Sequence, residues 1–138
     1  MLADQGDYVN AMKYFEEALA IYKQALGDRH PDVADTLNNM AAVLADQGDY
    51  VNAMKHYEEA LAIRKQALGD RHPDVAGSLV NIAILLEIQG KLKESMPYYE
   101  EGVSIYTMTL GENHPTTKQY RGYRDDARQQ LKKSCLLS

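Results

Sequence analysis

The sequence predicts an all-α protein built from antiparallel helix pairs, and two observations support this. First, residues 3–33 return as residues 45–75 with only three substitutions, and a third, more divergent copy follows at the same step of 42 residues. A period of this length is typical of stacked supersecondary units, none of which can bury its apolar face alone. Second, each period carries apolar residues at helical spacing, and no segment shows the alternation expected of a strand.

Glycine and His-Pro landmarks keep the 42-residue step through all three copies. They are Gly6, Gly48 and Gly90, then Gly27, Gly69 and Gly111, and the His-Pro pairs that begin at His30, His72 and His114. Proline suits the first position of a helix, where its missing N–H costs nothing, and glycine suits the residue just after a helix. The landmarks therefore predict where each helix begins and ends.

The apolar residues between the landmarks place the helices. Leu37, Met40, Ala41 and Leu44 fall at i, i+3, i+4 and i+7, and the next copy repeats the pattern. This predicts first helices over 31–47 and 73–89 and second helices over 49–68 and 91–110. The second helix of the first full repeat should bury the stripe Tyr50, Ala53, Met54, Tyr57, Ala60 and Leu61.

These helices divide the chain into a series of repeats. We expect one solenoid over 1–138, made of a partial repeat 1–30, repeats 31–72 and 73–114, a capping helix 115–134 and a tail 135–138.

Composition narrows the class of protein. The net charge of −5 argues against nucleic acid as a partner, since such binding depends on neutralising phosphates. The single cysteine excludes an internal disulfide framework, and the N-terminus lacks the pattern of a signal peptide. The longest apolar stretch, 79–88, is too short to span a bilayer. A cytoplasmic protein with protein or peptide partners and no cofactor is therefore expected.

Taken together, these residues resemble the tetratricopeptide repeat (TPR), with G-x-Y, small residues and a late aromatic on paired helices. The 42-residue step, with TLNNMA at 36–41 and ALGDRHPDV at 25–33 and 67–75, is similar to the longer variety found in kinesin light chains and related adaptor proteins. The resemblance covers about residues 3–117. It implies a right-handed superhelical solenoid whose first helices line a concave peptide-binding groove. It does not imply the motor role, because no heptad segment is present to join a heavy chain.

Alignment with the family implies the groove residues. They are Asp35, Asn38, Asn39 and Ala42 from the first full repeat, and Val80, Asn81, Ile84 and Ile88 from the next. The asparagine amides can hydrogen-bond an extended peptide backbone, or Asn39 and Asn81 can brace the neighbouring helix. Val80, Ile84 and Ile88 lie on a second apolar face, which either the C-terminal segment or a partner covers. Without clustered cations, the groove favours a ligand with apolar anchors and neutral or basic flanks.

The N-terminal helix, predicted over 7–26, lacks the first helix of its own repeat, of which only the last turn, Leu2-Ala3-Asp4, is present. It should therefore leave an open apolar edge, made of Tyr8, Ala11, Phe15, Ala18 and Leu19. Either the chain is cut from a longer array, or another copy supplies the missing surface and forms a homo-oligomer. Self-association through this edge, giving a structural solenoid, is the alternative to the function of a groove-binding adaptor.

No catalytic or metal-binding residues are expected, and the chain is predicted not to be an enzyme. The histidines of the His-Pro pairs recur two helices apart, too far to share one metal ion, so helix entry is their expected role.

Two interpretations of the tail remain open. From Lys118 onward there are six cations and two acids, which favours a capping helix with one wet basic face. The last four residues, Cys135 to Ser138, also match a farnesyl-type prenylation signal if Ser138 is the natural terminus. Lys132 and Lys133 would then add an electrostatic membrane anchor.

Overall fold

The computed structural model describes residues 5–137, which form six helices joined by short turns. The helices are α1 (Gln5–Leu26), α2 (Pro31–Asp46), α3 (Tyr50–Leu68), α4 (Pro73–Ile88), α5 (Leu92–Leu110) and α6 (Pro115–Leu137). No strand occurs within 5–137, and every helix break falls at a predicted glycine, so the all-α prediction is confirmed. The predicted remnant of a preceding helix, residues 2–4, lies outside the described residues.

The chain divides after Gly69 into two compact units. In the first unit α2 packs on both α1 and α3, and in the second unit α5 packs on both α4 and α6. Each unit thus contains one complete repeat, α2 with α3 or α4 with α5, and one additional helix.

The turn inside each repeat depends on a glycine in the left-handed region. Gly48 and Gly90 have φ of 85° and 80°, a conformation that other residues adopt only with strain. The Asp49 N–H donates to Leu44 O at 2.8 Å, and the Gly48 N–H donates to Ala45 O at 3.0 Å. This pair of bonds satisfies the last carbonyls of α2 and reverses the chain within three residues.

The His-Pro pairs cap the first helices, as predicted. The Nδ1 atoms of His30, His72 and His114 accept hydrogen bonds from the backbone N–H two residues later, at 3.1, 3.0 and 3.1 Å. The side chain therefore satisfies one of the N–H groups that a helix start leaves without a partner. Because the third pair caps α6, the repeat extends into the C-terminal helix.

The core of the first unit lies between α2 and α3. Its buried residues are Val33, Ala34, Leu37, Met40, Ala60 and Ile63. From the other side Met12, Phe15 and Leu19 of α1 pack against this cluster. Within the stripe predicted for α3, Ala53, Tyr57 and Ala60 are buried, while Tyr50, Met54 and Leu61 are half-buried.

In the second unit the close approach of α4 and α5 requires a residue without a side chain. A Cβ added at Gly102 would lie 2.7 Å from Val80 Cγ1 and 3.3 Å from the backbone oxygen of Ala76. One turn further along, Tyr106 stacks on Tyr120 of α6 with ring centroids 5.6 Å apart. The second unit is therefore packed tightly on both sides of α5.

Alanine substitutions at two mid-helix glycines test this packing, because they should change the free energy of unfolding in opposite directions. Gly102→Ala should lower the free energy of unfolding by about 1–3 kcal/mol, because the stiff Val80 side chain and a backbone oxygen block the new methyl group. Gly122→Ala, on α6 with nothing within 4 Å, should raise it by about 0.5–1 kcal/mol through helix propensity. Urea denaturation followed by circular dichroism measures both. Equal effects of the two substitutions would contradict the packing described for α4 and α5.

Candidate functional site

The second unit contains an open cleft between α4 and α6. Its volume is about 480 Å³, and its lining residues are Ile84, Glu87 and Ile88 of α4, Tyr99 of α5, and Tyr123, Asp126 and Gln130 of α6. α4 and α6 form the walls, and α5 lies at the base through Tyr99. We call this site the α4–α6 cleft.

A buried tyrosine, Tyr99, forms the base of the cleft. Tyr99 is 1% exposed, and its hydroxyl donates to Glu87 Oε1 at 2.7 Å. Burial, together with the hydrogen bond to Glu87, raises the pKa of Tyr99 far above its ordinary value. Tyr99 therefore stays protonated and keeps the Glu87 carboxylate in place on the cleft wall.

The mouth of the cleft combines apolar surface with acidic groups. Ile88 is 56% exposed and Tyr123 is 41% exposed. The charged residues among the lining are Glu87 and Asp126, and both are acidic. An apolar side chain of a ligand could thus be covered by Ile84, Ile88 and Tyr123, with a cation beside the two carboxylates.

The structure corrects part of the groove predicted for this unit. Val80 is 1% exposed and packs towards Gly102 of α5, so it belongs to the core and cannot contact a ligand. Ile84 and Ile88 line the cleft, and Asn81 is half-buried. α6 does not cover this apolar face but stands beside it as a wall, because it continues the repeat at its first-helix position.

Of the four groove residues predicted in the first unit, two line a cleft and two do not. Asp35 and Asn39 are exposed and line a cleft of about 320 Å³ between α1 and α2. Phe15 and Ala18 of α1 line it too, so residues from the two predicted sites meet here. Asp35 accepts a hydrogen bond from Arg64 Nη2 at 2.9 Å, so the guanidinium partly neutralises the negative charge of its carboxylate. Asn38 is half-buried, and Ala42 is exposed and outside the cleft lining.

The five residues predicted to form an open apolar edge on α1 are half-buried rather than exposed. Phe15 and Leu19 pack against the α2–α3 core, and the other three predicted residues, Tyr8, Ala11 and Ala18, are half-buried. The large apolar residues of α1 that are exposed are instead Val9, Tyr14, Ile21, Tyr22 and Leu26. The prediction was wrong for Phe15 and Leu19 because α1 packs on α2, the helix that follows it.

Five cleft residues escaped the sequence analysis: Glu87 of α4, Tyr99 of α5, and Tyr123, Asp126 and Gln130 of α6. The 42-residue step places the three on α6 at the positions of Asn81, Ile84 and Ile88, so the repeat itself could have identified those three. The signal was hidden because the core-facing apolar residues of the earlier copies are replaced by charged residues in α6.

The tail is helical and exposed over its described part. Cys135 and Leu136 lie at the exposed end of α6, whereas Ser138 and the Leu137 side chain lie outside the described residues. Arg128 pairs with Glu100 of α5 at 3.4 Å, so one cation of the basic face contacts the neighbouring helix. Among the described residues, no helix is long and apolar enough to cross a membrane, and no three metal-ligating side chains are grouped for a metal ion.

The protonated state of Tyr99 predicts a loss of stability at alkaline pH. The pKa of Tyr99 is raised in the folded state, so this contribution is complete below the unfolded pKa of about 10 and declines as pH rises above it. The free energy of unfolding should fall by up to about 1.4 kcal/mol per pH unit above that value. Tyr99→Phe should make the fall visibly shallower in urea denaturation at about pH 9 and about pH 11. An unchanged slope would contradict the protonated role of Tyr99.

Comparison with known proteins agrees with this architecture. Residues 1–66 and 32–108 match the model of the tetratricopeptide repeat family. No curated protein matches the chain. A solved structure from Podosopora anserina, described as a kinesin light chain with nearly identical TPR-like repeats, matches with a TM-score of 0.79 and 24% identity, over 90% of this chain and 59% of that one.

A second solved structure, BtubC (BKLC) from P. vanneervenii, matches with a TM-score of 0.74 and 24% identity, over 84% of this chain and 46% of that one. The chain thus spans about half to three-fifths of the length of these relatives. At this identity the two structures show a shared fold, while the family model covers well over half of the chain. The chain belongs to the tetratricopeptide repeat family, whose fold serves protein–protein interaction.

Proposed function

We propose that this chain is a non-catalytic adaptor that binds a peptide or helical segment in the α4–α6 cleft. One observation carries the proposal: Ile84 and Ile88 line an open cleft on a helix whose other apolar residues are buried. When a ligand covers a large exposed aliphatic residue such as Ile88, apolar surface leaves water and the free energy of the complex is lowered. The family supports a role in protein–protein interaction in general.

The cleft also indicates the chemistry of the ligand. Its apolar patch suits one or two aliphatic anchors, and the Glu87 and Asp126 carboxylates suit lysine or arginine beside those anchors. An acidic segment would instead place like charges together. We therefore infer a ligand with apolar anchors and basic flanks.

The apolar anchor is tested with a defined probe: a fluorescein-labelled peptide that carries two leucines at i and i+4 between lysine flanks. Ile88→Ser should weaken binding by about five- to tenfold in fluorescence anisotropy, since part of an isoleucine contact is lost. Val51→Ser is the matched control, because Val51 is 65% exposed on α3 and is not a lining residue of the cleft. Equal loss in both variants, or no binding of the probe to the native chain, would contradict the proposal.

The charge preference is tested by changing both sides of the contact. Asp126→Asn should weaken binding of the lysine-flanked peptide by about two- to threefold, and the effect should shrink as salt is raised. A peptide with glutamate flanks should bind less tightly than the lysine version and should gain from Asp126→Asn. If both peptides bind the native chain equally, then the acidic residues do not select the ligand.

A further inference from the structure

The last turn of α5 carries an exposed methionine in contact with an arginine. Met108 is 53% exposed, and the Nη1 atom of Arg71, in the turn before α4, donates to Met108 Sδ at 3.6 Å. A thioether sulfur is only a weak acceptor for a charged donor. The other methionines within residues 5–137 are buried or half-buried, and they are Met12, Met40, Met54 and Met96. Met108 is therefore the most accessible methionine of the described residues.

The first full repeat has a stronger acceptor at the same place. The 42-residue step relates Arg71 to Arg29 and Met108 to Gln66. Arg29 Nε donates to Gln66 Oε1 at 2.8 Å, which joins the turn before α2 to the last turn of α3. The two repeats thus share the arginine and differ in the acceptor, which is an amide oxygen in one and a sulfur in the other.

We propose that Met108 is an oxidation site and that Arg71 binds its sulfoxide as Arg29 binds the Gln66 amide. In the reaction with hydrogen peroxide, a sulfur lone pair attacks one peroxide oxygen, so that an S–O bond forms and the O–O bond breaks. The other oxygen leaves as hydroxide and takes up the proton of the transferred oxygen, which gives water. The sulfur is oxidised by two electrons and the peroxide is reduced. The product side chain is polar and carries an oxygen acceptor.

The surroundings of Met108 favour the sulfoxide instead of opposing it. Oxidation disrupts a protein core because it makes an apolar side chain polar, but more than half of the Met108 surface is already in water. The Arg71 guanidinium contacts the sulfur, so the new oxygen forms within its reach. A hydrogen bond from a charged donor is about twice as strong as a neutral one. Oxidation should therefore fasten the start of α4 to the end of α5.

This site is remote from the α4–α6 cleft. Arg71 precedes the first residue of α4, whereas Ile84, Glu87 and Ile88 lie near the other end of that helix. The 16 residues of α4 span about 24 Å. Oxidation at Met108 should leave the cleft unchanged, so the effect on stability can be measured independently of ligand binding.

Peroxide treatment followed by peptide mapping tests the site. In a Cys135→Ser background, which removes the exposed thiol, a limiting dose of hydrogen peroxide should add one oxygen to Met108 before the other four described methionines. The urea midpoint, followed by circular dichroism, should then rise by about 0.2–0.5 M. Met108→Leu is the matched control. Treated in the same way, it cannot form this sulfoxide and should show no rise, even where other methionines react.

Substitutions without an oxidant test the contact with Arg71. Met108→Gln should raise the urea midpoint by a similar amount, because it reproduces the arginine–amide pair of the first repeat. Methionine and glutamine have similar helix propensities, so propensity does not account for a gain. The gain should disappear in an Arg71→Ala background. In the first repeat, Gln66→Met should lower the midpoint, and peroxide should restore part of the loss.

Three results would each overturn the proposal. One is oxidation of any other described methionine ahead of Met108. Another is a urea midpoint that stays the same or falls once Met108 is oxidised. The third is a gain from Met108→Gln that is equal with Arg71 and with alanine in its place.

Discussion

Each unit of this protein depends on the close approach of two helices across small residues. On α5 the approach is closest at Gly102, where even a methyl group would overlap Val80. On α3 the corresponding residue is Ala60, which is fully buried against α2. Because the paired helices touch at these points, Val80 is taken into the core and Ile88, two turns later, is left at the surface. The position of the α4–α6 cleft follows from that contact.

The two full repeats differ where their two helices meet, and the changes compensate for one another. Asp35 faces Arg64 across the first full repeat with an ion pair of 2.9 Å, and the same positions in the next repeat are Gly77 and Tyr106, whose hydroxyl would lie 3.3 Å from a Cβ at Gly77. A bulky tyrosine is accommodated by a glycine, and a cation by an acid. The two repeats therefore keep the same helix pair while pairs of residues change together at the contact.

The α4–α6 cleft shows how divergence of the repeat changes a surface. There, α6 stands at the position of a first helix but carries Tyr123 and Asp126 where the earlier copies have asparagine and aliphatic or small residues. The proposed ligand site therefore depends on residues that the earlier copies lack.

The sequence by itself determined the helices, their limits and their pairing, because glycine, proline and apolar spacing act over a few residues and recur every 42. It also indicated Ile84 and Ile88 as surface positions on an apolar helix. Only the tertiary structure decided that Val80 is buried, that Phe15 packs against the α2–α3 core and that Tyr99 holds Glu87. These outcomes depend on which of two apolar faces a neighbouring helix covers, and that choice is made by packing between segments rather than by local pattern.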